Sequence, residues 1–418
     1  MNHEHVIAGL DIGSSKTTVV IAEAVGDIQR HTKIKVLGVG QARTTGLRRG
    51  VVSDIEETTR SIKKAVEDAE RMAGMKIESI YVGIAGEHVR AMTSKGIVAV
   101  NGDEISRADV NRANEVARAQ PFPQDRELLH AIPQEYTVDK NQGIRDPIGM
   151  IGTRLETEMY LITIGGSPAM NLRKAVERAG YHVKELVLEP LASALSVLTE
   201  DEKELGVALV EMGAGTTDIA IFHEGKIRHL GTVNFGGSNV TNDIVQGIGV
   251  TQADAERLKE RYGCAYEPMV DPDDVIELPS TVAQGERHIP REVLAHIIHQ
   301  RIDEIFSLVH SEIQKAGYAS RLSGGIVVTG GAAAMQGVSE LATDVFGTGV
   351  RIGIPTENVG GLSDSVEAPR FSTVVGLALY GANRVATAGL SDSKRRPMSS
   401  PNVDRLAQKV KTWLQDFF

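Results

Sequence analysis

The chain has 418 residues, of which 41% are hydrophobic and 24% charged, and its formal net charge is -10. Such a length points to more than one domain, and the acidic balance excludes nucleic acid as the main partner, because no basic field exists to neutralise phosphates. The only cysteine, Cys264, excludes an internal disulfide and fits a reducing compartment. In chain order, residues 1–5 are polar and the apolar run from Val6 is interrupted by Asp11, so no secretory signal is expected. No uninterrupted apolar run reaches the roughly 18 residues of a membrane-spanning helix. The expectation is a cytoplasmic protein that meets a membrane, if at all, from its surface.

Residues 7–21 read IAGLDIGSSKTTVVI: an apolar strand, an acidic residue, a small-residue turn and a β-branched strand. A third strand, Ile34 to Val39, follows, and then a helix. Ser53 and Glu56 suggest its capping box, Ile55, Ile62, Val66, Ala69 and Met72 its buried face, and Gly74 its end. Residues 85–163 interrupt this pattern with a capped helix from Ser106 to Ala119, the break Pro121-Phe122-Pro123, and the strings LLHAIPQEYTVD (128–139) and GIRDPIGMIGTRLE (143–156). They read as a compact α/β module. His130 and Glu135 within it invite an acid–base pair, but no second catalytic signature surrounds them, so both are expected to be structural.

Residues 207–221, VALVEMGAGTTDIAI, repeat the first hairpin, and Ile227 to Val233 repeat its third strand. The duplication predicts two related α/β lobes facing each other across a cleft. A glycine-rich hairpin turn aims several backbone N–H groups at one point and makes an anion nest. A neighbouring carboxylate can hold Mg²⁺ directly or through its waters. Two such nests face to face would clamp a polyphosphate.

About residues 241–303 a second insertion is expected, with a helix near 251–261, a loop rich in Pro and Asp, and a long helix from near Pro290. Val293, Ile297, Ile298, Ile302, Ile305 and Phe306 read as its buried face, and Arg291, Arg301 and Glu304 as a solvated one. His296, His299 and His310 are spread along that helix with no completing Cys or carboxylate pattern, so no metal site is expected there. After Gly381 the apolar pattern stops. Residues 383–401, rich in Ser, Ala and Pro and carrying Lys394-Arg395-Arg396, read as a flexible linker. A last amphipathic helix follows over 402–418. Val403, Leu406, Ala407, Val410, Trp413, Leu414, Phe417 and Phe418 fall within an arc of about 140°, bordered by Lys409 and Lys411.

The paired hairpins resemble the two phosphate loops of the superfamily of actin, the sugar kinases and the DnaK-type chaperones. Four more segments match it in order: Glu189 to Ala194 and Val374 to Gly381 as connecting helices, Ala255 to Lys259 as the ribose and adenine helix, and Val327 to Ala332 as the adenosine loop. The resemblance, over residues 6–382, implies an α/β, two-lobed actin-like fold of duplicated ribonuclease-H-like cores, with ATP and Mg as cofactors. Residue by residue, Asp11, Gly13, Ser14, Ser15 and Lys16 would serve the first clamp. Glu211, Gly213, Ala214, Gly215, Thr216 and Thr217 would serve the second. Gly236, Gly237, Glu256, Lys259, Gly330, Gly331 and Ala332 would surround the nucleoside. Asp11 and Glu211 would hold the metal through water, and Asp218 and Glu189 would be catalytic, with hydrolysis at most slow because Glu211 stands where the superfamily usually has Asp.

The two strings in 85–163 resemble the relocated first-lobe subdomain of the FtsA family of bacterial cell-division proteins, and the final helix resembles that family's membrane-targeting sequence. The expected division is then a first-lobe core of 1–84 and 164–196, completed by a helix near 374–382, with 85–163 inserted. The second lobe is expected over 197–240 and 304–382, with 241–303 inserted. The resemblance implies a polymer on the cytoplasmic face of the inner membrane at the division site. It also implies binding of the FtsZ C-terminal tail through Arg291, Arg301 and Glu304, and recruitment of later divisome proteins. A cell-shape or pilus-type actin relative and a small-molecule kinase of the superfamily stand as alternatives.

Overall fold

The computed structural model describes residues 5–25, 33–278 and 287–393. β1 (Val6–Ile12), β2 (Lys16–Val25) and β3 (Lys33–Arg43) form an antiparallel meander. A small hairpin of β4 (Leu47–Arg48) and β5 (Val51–Val52) leads into α1 (Ile55–Ala73), and β6 (Ser79–Ile84) then joins β1 in parallel. The α1 cap falls one residue later than expected: Asp54, not Ser53, accepts from the N–H of Glu57 at 2.9 Å. Ser53 and Asp54 both donate their N–H to the carbonyl of Gly46, which fixes the approach to the helix. Met72, expected inside, is 54% exposed, because the buried stripe runs through Ile62, Ala65, Val66 and Ala69.

Residues 85–163 contribute a separate four-stranded antiparallel sheet in the order β7 (Arg90–Ala99), β10 (Arg154–Gly165), β8 (Arg126–Val138), β9 (Asn141–Ile144), covered by α2 (Arg107–Arg118). A capping box of Ser106 and Asp109 starts α2. This sheet is not an appendage. Its Ile132, Tyr160 and Ile162 share one buried cluster with Leu188 and Leu191 of the first lobe and with Leu209 and Phe222 of the second. His130 is buried and accepts from the N–H of Leu188 at 3.1 Å. Burial and the Arg384 charge push its pKa down to about 3, which keeps it neutral.

The chain returns through α3 (Gly166–Arg178), β11 (His182–Leu188) and α4 (Glu189–Val197), then crosses by α5 (Glu200–Leu205) to the second lobe. There β12 (Val207–Met212), β13 (Thr217–His223) and β14 (Lys226–Val233) repeat the meander. They are followed by α6 (Gly237–Ile244), α7 (Gln252–Tyr262), the hairpin β15 (Val275–Leu278) and β16 (Arg287–Pro290), and α8 (Arg291–Lys315). β17 (Ile326–Thr329), α9 (Val338–Phe346) and β18 (Val350–Ile352) complete the sheet. β19 (Val359–Gly361) then pairs with β3, and α10 (Ser372–Ser393) packs on the first sheet. Strand orders β3-β2-β1-β6-β11 and β14-β13-β12-β17-β18 are equivalent, so the repeat seen in the sequence is a repeat of architecture.

In α8 the buried stripe runs through Leu294, Ala295, Ile298, Ile302, Ile305, Phe306, Val309 and Ile313. Val293, expected inside, is 44% exposed, because steps of three and four residues carry the stripe through Leu294 instead. The linker expected from residue 383 is also corrected, since α10 continues to Ser393. Ala and Val are compatible with helix beyond Gly381, and Arg384 bonds Glu185 at 2.6 Å, so the added turn is tied to β11. Residues 394–401 of that linker and the expected helix over 402–418, with Val403, Leu406, Lys409, Val410, Lys411, Trp413, Leu414, Phe417 and Phe418, lie outside the described residues.

Candidate functional site

Between the two lobes lies a cavity of about 670 Å³, reached by the β1–β2 and β12–β13 turns. The turns close alike: the N–H of Gly13 donates to the Lys16 carbonyl at 3.1 Å, and that of Gly213 to the Thr216 carbonyl at 2.9 Å. Their tips meet, and a Cβ on Gly215 would lie 2.9 Å from Ser14 Oγ. The amides of Ser14, Ser15, Ala214 and Gly215 have no partner among the described residues. Two nests of unused donors therefore face one space, which suits an anion with several oxygens. Lys16 stands at the rim, 3.6 Å from Glu260 of α7 across the cleft.

Asp11 and Glu211 occupy matching places before the turns, Glu189 begins α4, and Asp218 lies on β13 opposite Glu211. Burial pushes the Asp11 carboxyl up to about 7 and that of Asp218 to about 6. Burial, with repulsion from Asp11 and Asp218, pushes Glu211 up to about 8. Glu189 is raised well above the carboxylate range by burial and by Asp11, Glu211 and Asp218. Asp218 accepts from Thr232 Oγ1 at 2.7 Å and Thr216 Oγ1 at 3.1 Å, and those bonds moderate its shift. Such a set of hard oxygen donors, mutually repelled and short of positive charge, fits a divalent cation. Among the described residues no three His, Cys or carboxylate groups come close enough to cage a metal alone. Water and ligand oxygens would have to complete its shell.

Toward the far end, Gly330 has φ 92°, and a Cβ there would lie 2.5 Å from the Met212 carbonyl, so only glycine fits that turn. Gly331 meets nothing within 4 Å and leaves the cavity open, with Ala332 beside it. Lys259 donates to the Gly237 carbonyl at 3.0 Å, to Thr241 at 2.8 Å and to Glu256 at 2.8 Å, so it joins α7 to α6 while lining the cleft. Two predicted residues support the second turn from behind it. Thr217 is fully buried and donates to the Phe235 carbonyl, and Gly236 packs against the Gly213 carbonyl. Sequence reasoning missed Gln41, Arg370 and Thr373 on the cavity wall and Ser193 behind it. No repeat or glycine pattern marked them.

Of the solvated face expected, Glu304 is exposed, but Arg291 and Arg301 are held by partners. Arg291 bonds the Tyr262 carbonyl, Asp274 and Gln336, and Arg301 grips Asp243 through Nε and Nη2 while its Nη1 pairs with Glu304. Their side chains are only 21% and 23% exposed. His296 pairs with Glu267 and His299 with the Ala265 carbonyl.

Duplicated sheets around a cleft with twin amide-lined turns define an actin-like ATPase fold. Solved structures of that architecture agree: the PilM-PilN type IV pilus biogenesis complex superposes with a TM-score of 0.63 at 17% identity, covering 90% of this chain and 98% of the other. MreB5 of Spiroplasma citri bound to ADP superposes with a TM-score of 0.52 at 15% identity, covering 92% and 98%. The family model for cell division protein FtsA matches residues 208–376, and that for the SHS2 domain inserted in FtsA matches 86–163. Cell division protein FtsA of Pseudomonas aeruginosa is 42% identical over 99% of this chain and 98% of its own length. That of Escherichia coli K12 is 36% identical over 99% and 98%. The chain belongs to the FtsA family of bacterial cell-division proteins.

Proposed function

We propose that this protein binds ATP with Mg²⁺ in the interlobe cleft, polymerises on the cytoplasmic face of the inner membrane at the division site, binds the FtsZ C-terminal tail and so anchors the division ring, recruiting later divisome proteins. The observation that carries the nucleotide reading is the facing pair of turns with four unpartnered amides above a floor of carboxylates. Asp11, Gly13 to Lys16 and Gly213 to Thr216 would hold the phosphates and the hydrated cation, and Gly330 to Ala332 with Glu256 and Lys259 the nucleoside. Bound Mg²⁺ would supply charge neutralisation on the phosphate oxygens. Asp218, oriented by Thr216 and Thr232, is the group best placed to hold a water. Glu189 begins α4 on the wall of the same cavity, its carboxyl raised by burial and by Asp11, Glu211 and Asp218. MreB5 of like fold carries ADP, which supports the same reading.

Titration calorimetry of the full chain with Mg-ATP tests this, and saturable binding of one nucleotide is expected. Absence of binding to the parent would overturn the nucleotide reading. The membrane reading rests on the sequence over 402–418, where apolar insertion must supply the affinity and where many weak anchors on one polymer would act together.

A further inference from the structure

We propose that Glu211 is a positioning residue that fastens the second turn to the crossing of α4 and α10, so that movement of the turn is transmitted to the interlobe hinge. This rests on the nucleotide reading only for what moves the turn. The Glu211 carboxylate forks: Ser193 Oγ of α4 donates to Oε2 at 2.9 Å, and Thr373 Oγ1 of α10 donates to Oε1. The two hydroxyls are themselves 3.1 Å apart. Ser196 Oγ, next along α4, bonds the carbonyls of Ser193 at 2.9 Å and Ser372 at 2.7 Å. Every one of these side chains is buried.

The crossing they seal leaves no slack. A Cβ on Gly376 of α10 would lie 1.8 Å from the Ala192 carbonyl of α4, so the helices meet backbone to backbone. α4 carries the chain out of the first lobe, and α10 packs on the first-lobe sheet just after Pro369, whose carbonyl accepts from the N–H of Gly330 at 3.2 Å. Glu211 thus sits where the second-lobe turn, the Gly330 loop and both helices converge.

Side-chain length decides the role. An Asp at 211 would be shorter by one methylene, about 1.5 Å, and would not reach both hydroxyls. A Glu turned toward a cation would instead abandon two buried donors, which is unfavourable.

Amide hydrogen exchange on the full chain without nucleotide tests the contact. Glu211→Asp, Ser193→Ala and Thr373→Val should each lower protection in α4 and the first turns of α10 by roughly tenfold while α2 keeps its protection. The coupling is read as a distance between spin labels at exposed Met72 and Glu340, with buried Cys264 replaced by Ser. Mg-ADP should shift that distance in the parent. In Ser193→Ala nucleotide affinity should stay within about threefold while the shift is lost. Unchanged protection and an unchanged shift in Glu211→Asp would overturn the proposal. A parent that binds no nucleotide would sink the proposed function instead, and the exchange arm would still decide the hinge contact.

Discussion

The carboxylates of the cleft floor make the protein's stability depend on pH in a stated direction. Asp11, Asp218 and Glu211 are raised to about 7, 6 and 8 from ordinary values of 3.8 and 4.5. Each binds its proton more tightly folded than unfolded. That contribution is complete below the unfolded pKa and is lost as pH climbs through the folded one. Without divalent cation, the melting temperature should fall between about pH 4 and about pH 8. Mg²⁺ should restore more of it at the alkaline end, where Asp11 and Asp218 are already ionised, and calorimetric scans across pH with and without Mg²⁺ check this. The glycines of the far end offer a second residue-scale test. Gly330→Asp combines strain at φ 92° with a clash, so lost ATP affinity would come with a lower melting temperature. Gly331→Asp places its carboxylate in open space, so ATP affinity should fall at least about tenfold with the melting temperature unchanged. Equal affinity in the Gly331 variant would remove the nucleoside from that loop.

At the scale of elements, the sheet of residues 85–163 is built into the core. Ile132, Tyr160 and Ile162 pack with Leu188, Leu209 and Phe222, and removal of the segment would expose that cluster to water. Its deletion is therefore expected to unfold both lobes and cannot isolate a role in assembly. Ile162→Ala should destabilise the whole chain by about 2–5 kcal/mol, seen as one shifted transition in differential scanning calorimetry. An early separate transition of residues 85–163 would show an independent unit. The α6–α8 region carries a similar lesson. Arg301→Glu would set a third acid against Asp243 and Glu304. Its melting temperature should drop together with any loss of binding to an acidic FtsZ tail peptide. A loss of binding at an unchanged melting temperature would place Arg301 in the docking contact itself.

For the whole molecule, assembly and membrane attachment follow from the proposed function. The proposed polymer would need a head-to-tail contact, which gives an open filament when its rotation does not close into a ring. One short amphipathic helix binds a bilayer reversibly, so filament and anchor should depend on each other. Trp413→Glu replaces a large apolar side chain with a charge at the Lys409 border of the apolar arc that the sequence predicts over 403–418. It should release the protein from liposomes in co-sedimentation while Mg-ATP binding stays as in the parent. Sedimentation equal to the parent's would show that this helix is not the anchor.

Elements with a periodic or repeated signal were legible from sequence alone. The twin hairpins around Gly13 and Gly213, the capped helix from Ser106, and the helices starting at Glu189 and near Pro290 each follow from local pattern and turn chemistry. The duplicated sheets follow from the repeat itself. Contacts made by residues distant in the chain had no such signature. The fork of Glu211 onto Ser193 and Thr373 spans 18 and 162 positions, and the pairing of Arg301 with Asp243 spans 58. Neither leaves a period or a motif, because hydroxyl and charged residues on a helix look the same in sequence whether they face water or a partner. Local periodicity sets where strands and helices form; only the packing of one lobe on another decides which of their polar groups are free to bind and which are already held.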